Sequence, residues 1–153
     1  MDETYIKDNR VYLYRAVDKE GNTVDFMLSE KRDEPAARTF LIGSSGLPDK
    51  VTMDKSGANK AGIDFINLQL ALLFIMSGLF LQINVRQVKY LNNIVEQDHR
   101  FIKKITKPMK GFKAFYSADA TLSGIELHHM LRKGQHIESE KQTIFEQFYG
   151  LAA

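Results

Sequence analysis

Tyr12-Leu13-Tyr14-Arg15-Ala16-Val17-Asp18-Lys19-Glu20-Gly21-Asn22-Thr23-Val24-Asp25-Phe26-Met27-Leu28-Ser29 decides the fold class. Two runs rich in β-branched and aromatic residues flank Lys19-Glu20-Gly21-Asn22, a turn signal, so the stretch predicts an antiparallel hairpin. Val11, Leu13, Arg15 and Val17 alternate against Tyr12, Tyr14 and Ala16, the period of a sheet with two different faces. Upstream, Thr4 to Lys7 is a further strand-like run, and Asn9-Arg10 supplies the turn that makes the three a meander.

Downstream the pattern changes to helices alternating with strands. Asp33 is an N-cap with Pro35 in the first turn, opening a helix through about Leu41. Gly43 to Pro48 is a loop and Lys50 to Met53 a short strand. A long helix runs from about Gly57 to Ser77, with Ile63, Ile66, Leu70, Leu73 and Ser77 at helical spacing. Leu81 to Val88 reads as a strand parallel to the preceding one, because a helix crossover joins them. Asn93 caps a basic helix through about Thr106, Pro108 interrupts, and Ser117 begins a helix towards Arg132. Ser139 to Tyr149 predicts a last helix. The fold class is therefore α/β: three antiparallel strands first, then helix crossovers to further strands of one mixed sheet, flanked by helices. That order is the order of an RNase H-like domain.

At 153 residues the chain is one domain by length. Its composition, 44% hydrophobic and 26% charged, is that of an ordinary globular protein. The absence of cysteine excludes disulfides and thiolate metal sites. The first thirty residues lack the apolar core of a signal peptide. Leu70 to Leu81 is the one membrane-like stretch; it is shorter than the roughly 20 residues a spanning helix needs, and Ser77-Gly78 interrupts it. It reads as a buried helix end running into a buried strand, and no membrane span is expected. The net charge is only +2, but Arg100, Lys103, Lys104, Lys107, Lys110 and Lys113 occur with no acid between residues 99 and 118. Such a block is either a solvated face or a phosphate-contacting one.

Asp2, Asp54 and Glu96 are the candidate chemistry. Two of them start or end strand-like runs and the third begins the basic helix, an arrangement that suits two Mg²⁺ ions acting on a phosphodiester, because hard cations take carboxylate oxygens. Each has a structural alternative. Asp2 could be a disordered terminal residue, Asp54 a strand-to-helix turn acid, and Glu96 the partner of Asn93 in a capping box or of Arg100 at i+4. Glu96, His99, Arg100, Lys103 and Lys107 share one helical face, and Ile94, Phe101 and Ile105 another, with Val95 and Ile102 beside them. This spacing presents a carboxylate at the head of a cationic stripe. His99 is then either a scissile-phosphate contact or an ordinary hydrogen-bonded histidine. Lys89, Asn92 and Asn93 are candidates for DNA contact beside it, with Lys104 next to the stripe; the asparagines also suit a turn and cap. His128 and His129 lack carboxylates at ligand spacing and are not read as metal ligands.

MDETYIK (1–7), YLYRAVDKEGNTVDF (12–26), VTMDKSGAN (51–59), RQVKYLNNIVEQDHRFIKK (86–104), PMKGFKAF (108–115) and GIELHHMLRKGQ (124–135) resemble the catalytic domain of small bacterial insertion-sequence transposases. More narrowly, they resemble the DDE group called the insertion sequence six family. The resemblance implies an RNase H-like fold, Asp2, Asp54 and Glu96 as catalytic and metal-binding residues, and two Mg²⁺ ions, with Mn²⁺ as substitute. It implies strand nicking and transfer on double-stranded DNA at transposon ends and target. It further implies a homodimer with another transposase protomer, no membrane partner, and a cytoplasmic, nucleoid-associated location.

By the same resemblance residues 1–133 are the catalytic domain and 134–153 a tail helix, while the family's N-terminal helix-turn-helix region has no counterpart here. The family's first strand also begins earlier, so Asp2 is expected at a frayed terminus, with weak Mg²⁺ binding and no transposition by the isolated chain. Two other classes fit the basic stripe: a non-catalytic remnant that binds DNA or interferes with a full-length transposase, and another RNase H-like nuclease that cuts branched DNA.

Overall fold

The computed structural model describes residues 1–6, 11–43, 46–88, 93–136 and 142–152, with Asp2 and Ala152 described by their backbone alone. In chain order the elements are β1 (Asp2–Ile6), β2 (Val11–Val17), β3 (Thr23–Ser29), α1 (Glu34–Ile42), β4 (Lys50–Met53), α2 (Gly57–Ser77), β5 (Asn84–Gln87), α3 (Asn93–Thr106), α4 (Phe115–Arg132) and α5 (Ile144–Ala152). The fold is α/β. β1, β2 and β3 form the expected antiparallel meander, and β4 pairs with β5 in parallel across the α2 crossover. Instead of one continuous mixed sheet, the strands pair as two sheets. They meet where the Met1 nitrogen donates to the Thr52 carbonyl at 2.7 Å, which sets the start of β1 against β4.

Alternation along β2 sorts the core into two layers. Tyr14 pairs across the sheet with Glu3 and Met27 and packs with Ala37, Phe40, Met53, Ile63 and Ile66 under α1 and α2. Leu13 pairs with Thr4 and Leu28 and packs with Ile6, Ile102 and Leu122 under α3 and α4. Neighbouring residues of one strand therefore serve opposite layers, as a pleat requires. α1 starts as its sequence dictates, with the Asp33 carboxylate accepting the Ala36 N–H at 3.0 Å and proline in the first turn. Gly62 lets α2 close onto α1: a Cβ there would stand 3.1 Å from the Ala37 Cβ and 3.2 Å from the Arg38 nitrogen.

The far end of α2 corrects the sequence reading. Ile75 and Met76 are 78% and 86% exposed and Phe80 is 71% exposed, where a buried helix end running into a buried strand was expected. Length supplies the reason. α2 has 21 residues and α1 nine, roughly 30 Å against 14 Å at the helical rise, so α2 outruns the helix it packs on. Leu79 to Leu81 belong to no strand, and β5 begins only at Asn84. By length and composition α2 is apolar enough to cross a bilayer. Its first two-thirds nevertheless carry Lys60 and Asp64 and are fixed in the core through Ile63, Ile66 and Leu70.

Other boundaries move by a few residues. α4 starts at Phe115 instead of Ser117. Residues 139–141 of the expected last helix lie outside the described residues, and α5 starts at Ile144. There Thr143 and Glu146 form a capping box: the Glu146 carboxylate accepts the Thr143 N–H at 2.7 Å, and the Thr143 hydroxyl accepts the Glu146 N–H at 3.3 Å.

Candidate active site

Asp2 is the first residue of β1 and pairs in register with Arg15 of β2. The expectation of a frayed position is thereby corrected: ladder bonds on the β2 side and the Met1–Thr52 bond on the β4 side hold its backbone. The side chain of Asp2 lies outside the described residues. Asp54 directly follows β4, at the carboxyl end of a parallel strand, where open α/β sheets present their ligand-binding groups. Its Oδ1 accepts the Ser56 N–H at 3.0 Å, which fixes the turn into α2. Glu96 stands exposed in the first turn of α3. Asn93 is the first described residue of α3, at the helix start where the sequence places a cap.

Two contacts bring the carriers of these acids together. Thr52, two residues before Asp54, receives the bond from Met1, next to Asp2. Thr4, two residues after Asp2 and of the same parity in the strand, pairs through its hydroxyl with His99 Nδ1 at 2.6 Å. His99 is one helical turn beyond Glu96, so α3 is pinned with its acidic end towards the start of β1. Among the described side chains no three His, Asp or Glu groups lie close enough to hold a metal. The Asp2 side chain is not among them. The donor set itself is all carboxylate oxygen, the chemistry a hard divalent cation takes.

His99 corrects the helical stripe. Val95, His99 and Ile102 are the buried residues of α3, and His99 is 2% exposed, because the hydroxyl of Thr4 satisfies a polar ring inside the layer. The face that reaches solvent carries Glu96, Arg100, Lys103, Lys104 and Lys107. Lys89 and Asn92 lie outside the described residues. A cavity of about 510 Å³ opens beside the start of β1, lined by Met1, Val17, Lys50, Thr52, Arg86 and Val95 among others. Lys50 and Arg86 thus add two cations near the carboxylate end of α3.

Glu3, beside the candidate site, is a residue that the sequence reading passed over. Its carboxylate, 2% exposed, accepts from Arg32 Nε at 2.7 Å, from Ser56 Oγ at 2.9 Å and from Asn59 Nδ2. Ser56 and Asn59 flank the start of α2, so Glu3 ties β1 to the turn that carries Asp54. Beneath it lies Tyr14, whose phenol is pushed up to about 12 by burial and then by the carboxylates of Glu3 and Asp33. An acid in a strand of alternating character was the available signal; its partners, 29 to 56 residues away, were not.

Asp98 was likewise missed. Its carboxylate accepts from Arg15 Nη1 at 2.7 Å, His129 Nε2 at 2.5 Å and Lys133 Nζ at 2.7 Å. Burial raises the carboxyl, but hydrogen bonds from Lys133 and His129 and the charge of Arg15 outweigh it and hold it at about 2. Arg15, fully buried, also donates to Glu126 at 2.8 Å and to the Thr23 hydroxyl at 3.0 Å. Glu126 goes the other way: with no exposure at all, its burial outweighs Arg15 and raises it. This network locks α3 and α4 to β2.

A model of a DDE domain family matches residues 1–135. The chain is 37% identical over 139 residues to the "Transposase for insertion sequence-like element IS431mec" of Staphylococcus aureus strain Mu50, covering 87% of this chain and 57% of that one. It matches the "Transposase for insertion sequence element IS257 in transposon Tn4003" of Staphylococcus aureus to the same extent. The chain belongs to the insertion sequence six family of DDE transposases. It spans 57% of the length of these curated relatives. No solved structure matches it. Within this DDE domain the family match takes in Asp2, Asp54, Glu96 and the whole basic stripe of α3.

Proposed function

We propose that this domain is the catalytic core of a transposase, an RNase H-like unit spanning residues 1–133, that nicks and transfers DNA strands at insertion-sequence ends. The contacts that tie β1 to β4 and to α3, Met1 to Thr52 and Thr4 to His99, support the reading, because these three elements carry or adjoin Asp2, Asp54 and Glu96. These three would hold Mg²⁺, or Mn²⁺ in its place. When bound, the metal would activate water or a DNA 3′-hydroxyl and neutralise charge developing in an in-line displacement.

The chain's own residues do the rest. Arg100, Lys103 and Lys104, exposed along α3, and Lys107 just beyond its end would take successive phosphates and lay the strand towards Glu96. Ser56 and Glu3 fix the Asp54 turn, and Thr4 with His99 fixes the rotation of α3 against β1. Positioning and electrostatics then suffice without a covalent protein–DNA intermediate. Residues 134–153, with α5, would be a tail outside the catalytic unit.

Asp54→Ala tests this on insertion-sequence-end DNA, with Mg²⁺ or Mn²⁺ supplied and DNA binding measured in parallel. We expect metal-dependent nicking and joining to vanish while salt-sensitive DNA binding persists. Metal-dependent strand transfer by Asp54→Ala would falsify the assignment. DNA binding without cleavage by the unsubstituted chain would favour a non-catalytic DNA-binding role.

A further inference from the structure

α2 carries two apolar faces, and the fold uses one. Asn59, Gly62, Ile63, Ile66 and Leu70 are its buried residues, spaced by one turn along the side that meets α1. On the opposite side Phe65, Leu68, Leu72 and Ile75 alternate by three and four positions, the spacing of a coiled-coil seam, and Leu79 follows just beyond the helix end. They are exposed by 37%, 60%, 56%, 78% and 55%. Met76 and Phe80 widen the strip. The exposed apolar area is on the order of 1,000 Å², beyond the ~300–600 Å² of the largest patch on a typical monomer. It also exceeds the roughly 800 Å² per partner of a standard interface.

The surface is built, not frayed. Gly78 closes the helix in the left-handed region at φ 71°, its N–H bonded to the Phe74 carbonyl at 2.7 Å. Phe80 then packs edge-on against Phe74 at 5.7 Å between ring centroids, which holds Leu79 to Leu81 beside the helix end.

We propose that this face binds the same face of a second copy of the chain, α2 against α2, antiparallel about a two-fold axis at Leu72. Charge selects the occupant. No ionisable residue occurs from Phe65 to Val85, so any partner contributing charges here would desolvate them against hydrocarbon. From Leu68 onward the copy's own seam brings none and repeats the same knobs; the Arg38 guanidinium, 4.6 Å over the Phe65 ring, marks its edge. Symmetry selects the orientation. Leu68, Leu72 and Met76 lie at −4, 0 and +4 about Leu72, so an antiparallel pair sets Leu72 against Leu72 and Leu68 against Met76. A parallel pair would instead oppose Asp64 to Asp64 and Lys60 to Lys60. The interface is isologous and closes at two subunits. It lies on α2 and is independent of the proposed DNA chemistry.

Sedimentation velocity of the whole chain over a wide concentration range reads the association. We expect a monomer–dimer equilibrium that Leu72→Lys weakens by about 100-fold or more, since it sets two cations together on the axis. Leu72 is outside the core, so the helical circular dichroism of Leu72→Lys is expected to persist. The chain has no cysteine, so Leu72→Cys supplies one thiol per copy, and a short bismaleimide is expected to join two copies through it. A unit that stays monomeric at every concentration, a dimer indifferent to Leu72→Lys, or a Leu72→Cys chain that does not cross-link overturns the proposal. Leu72-dependent binding to phosphatidylcholine vesicles by a monomer overturns it in favour of a lipid surface.

Discussion

Two clusters of charge sit on opposite faces of the same meander, one step apart in the register of β1 against β2, and they do different work. On the α3/α4 face Arg15 meets Asp98 and Glu126 with neither Arg15 nor Glu126 exposed. On the α1/α2 face Glu3 meets Arg32, whose side chain is half exposed, together with Ser56 and Asn59. The first is a buried knot among β2, α3 and α4, where loss of one partner strands a charge in hydrocarbon. The second is a rim clamp between β1 and the Asp54 turn: the Glu3 carboxylate, Ser56 and Asn59 are buried, and only the Arg32 cation reaches water, which can take its place. Burial should therefore separate stability residues from positioning residues, although both clusters look alike as lists of ion pairs.

The largest effect belongs to Arg15. Arg15→Met leaves Asp98 and Glu126 facing each other, and a loss of about 3–5 kcal/mol in urea unfolding is expected, enough to unfold a marginal domain. A loss below about 1 kcal/mol would mean that the two carboxylates take up protons or water and that the knot holds nothing.

Acid should reveal the same knot. Asp98 is held below its ordinary 3.8 at about 2, so its contribution is complete above pH 3.8 and disappears as the pH falls towards 2. His129 is lowered by burial despite its bond to Asp98, so the neutral ring is favoured in the fold; its contribution is complete above pH 6.5 and is lost as acid charges the unfolded chain. Glu126, raised above 4.5, opposes these two by contributing below pH 4.5 and losing that contribution as the pH rises. The net expectation is a melting temperature that declines in two stages, first below pH 6.5 and again below pH 3.8. Asp98→Asn should abolish the lower stage; an unchanged acid profile would remove Asp98 from the knot.

The rim clamp should separate stability from function. Glu3→Gln is expected to lower stability by only about 1–2 kcal/mol. Divalent-metal affinity should weaken by about tenfold, as for other residues that orient metal ligands through a hydrogen bond. If both quantities move in proportion, Glu3 is a structural residue only. The smallest stability effect belongs to the α3 stripe. Lys103→Ala and Lys107→Ala should stay within about 0.5 kcal/mol of the unsubstituted chain, while each reduces the slope of DNA affinity against salt by about 1.

Local chemistry made much of this fold legible. The Asp33 cap with Pro35, the turn at residues 19–22 and the crossover between β4 and β5 each follow from signals within a few residues, and each stands where it was read. What the chain hid was partnership. An apolar run such as Leu72 to Leu81 declares that it avoids water, not which protein surface will cover it. His99 shared a helical face with lysines by counting, yet Thr4, 95 residues away, draws it inside. Glu3 and Asp98 are acids whose cations are likewise remote, 29 and 83 residues off. Of the candidate site, Asp54 at a strand end and Glu96 at a helix start were readable from spacing, but the bonds that bring their elements together were not.

Anomalous diffraction from crystals of the chain grown with Mn²⁺ tests the carboxylate site most directly. Manganese peaks bounded by oxygens of Asp2, Asp54 and Glu96 are the expected result, lost from Asp54→Asn crystals. Manganese bound away from all three, or retained unchanged without the Asp54 carboxylate, would contradict it.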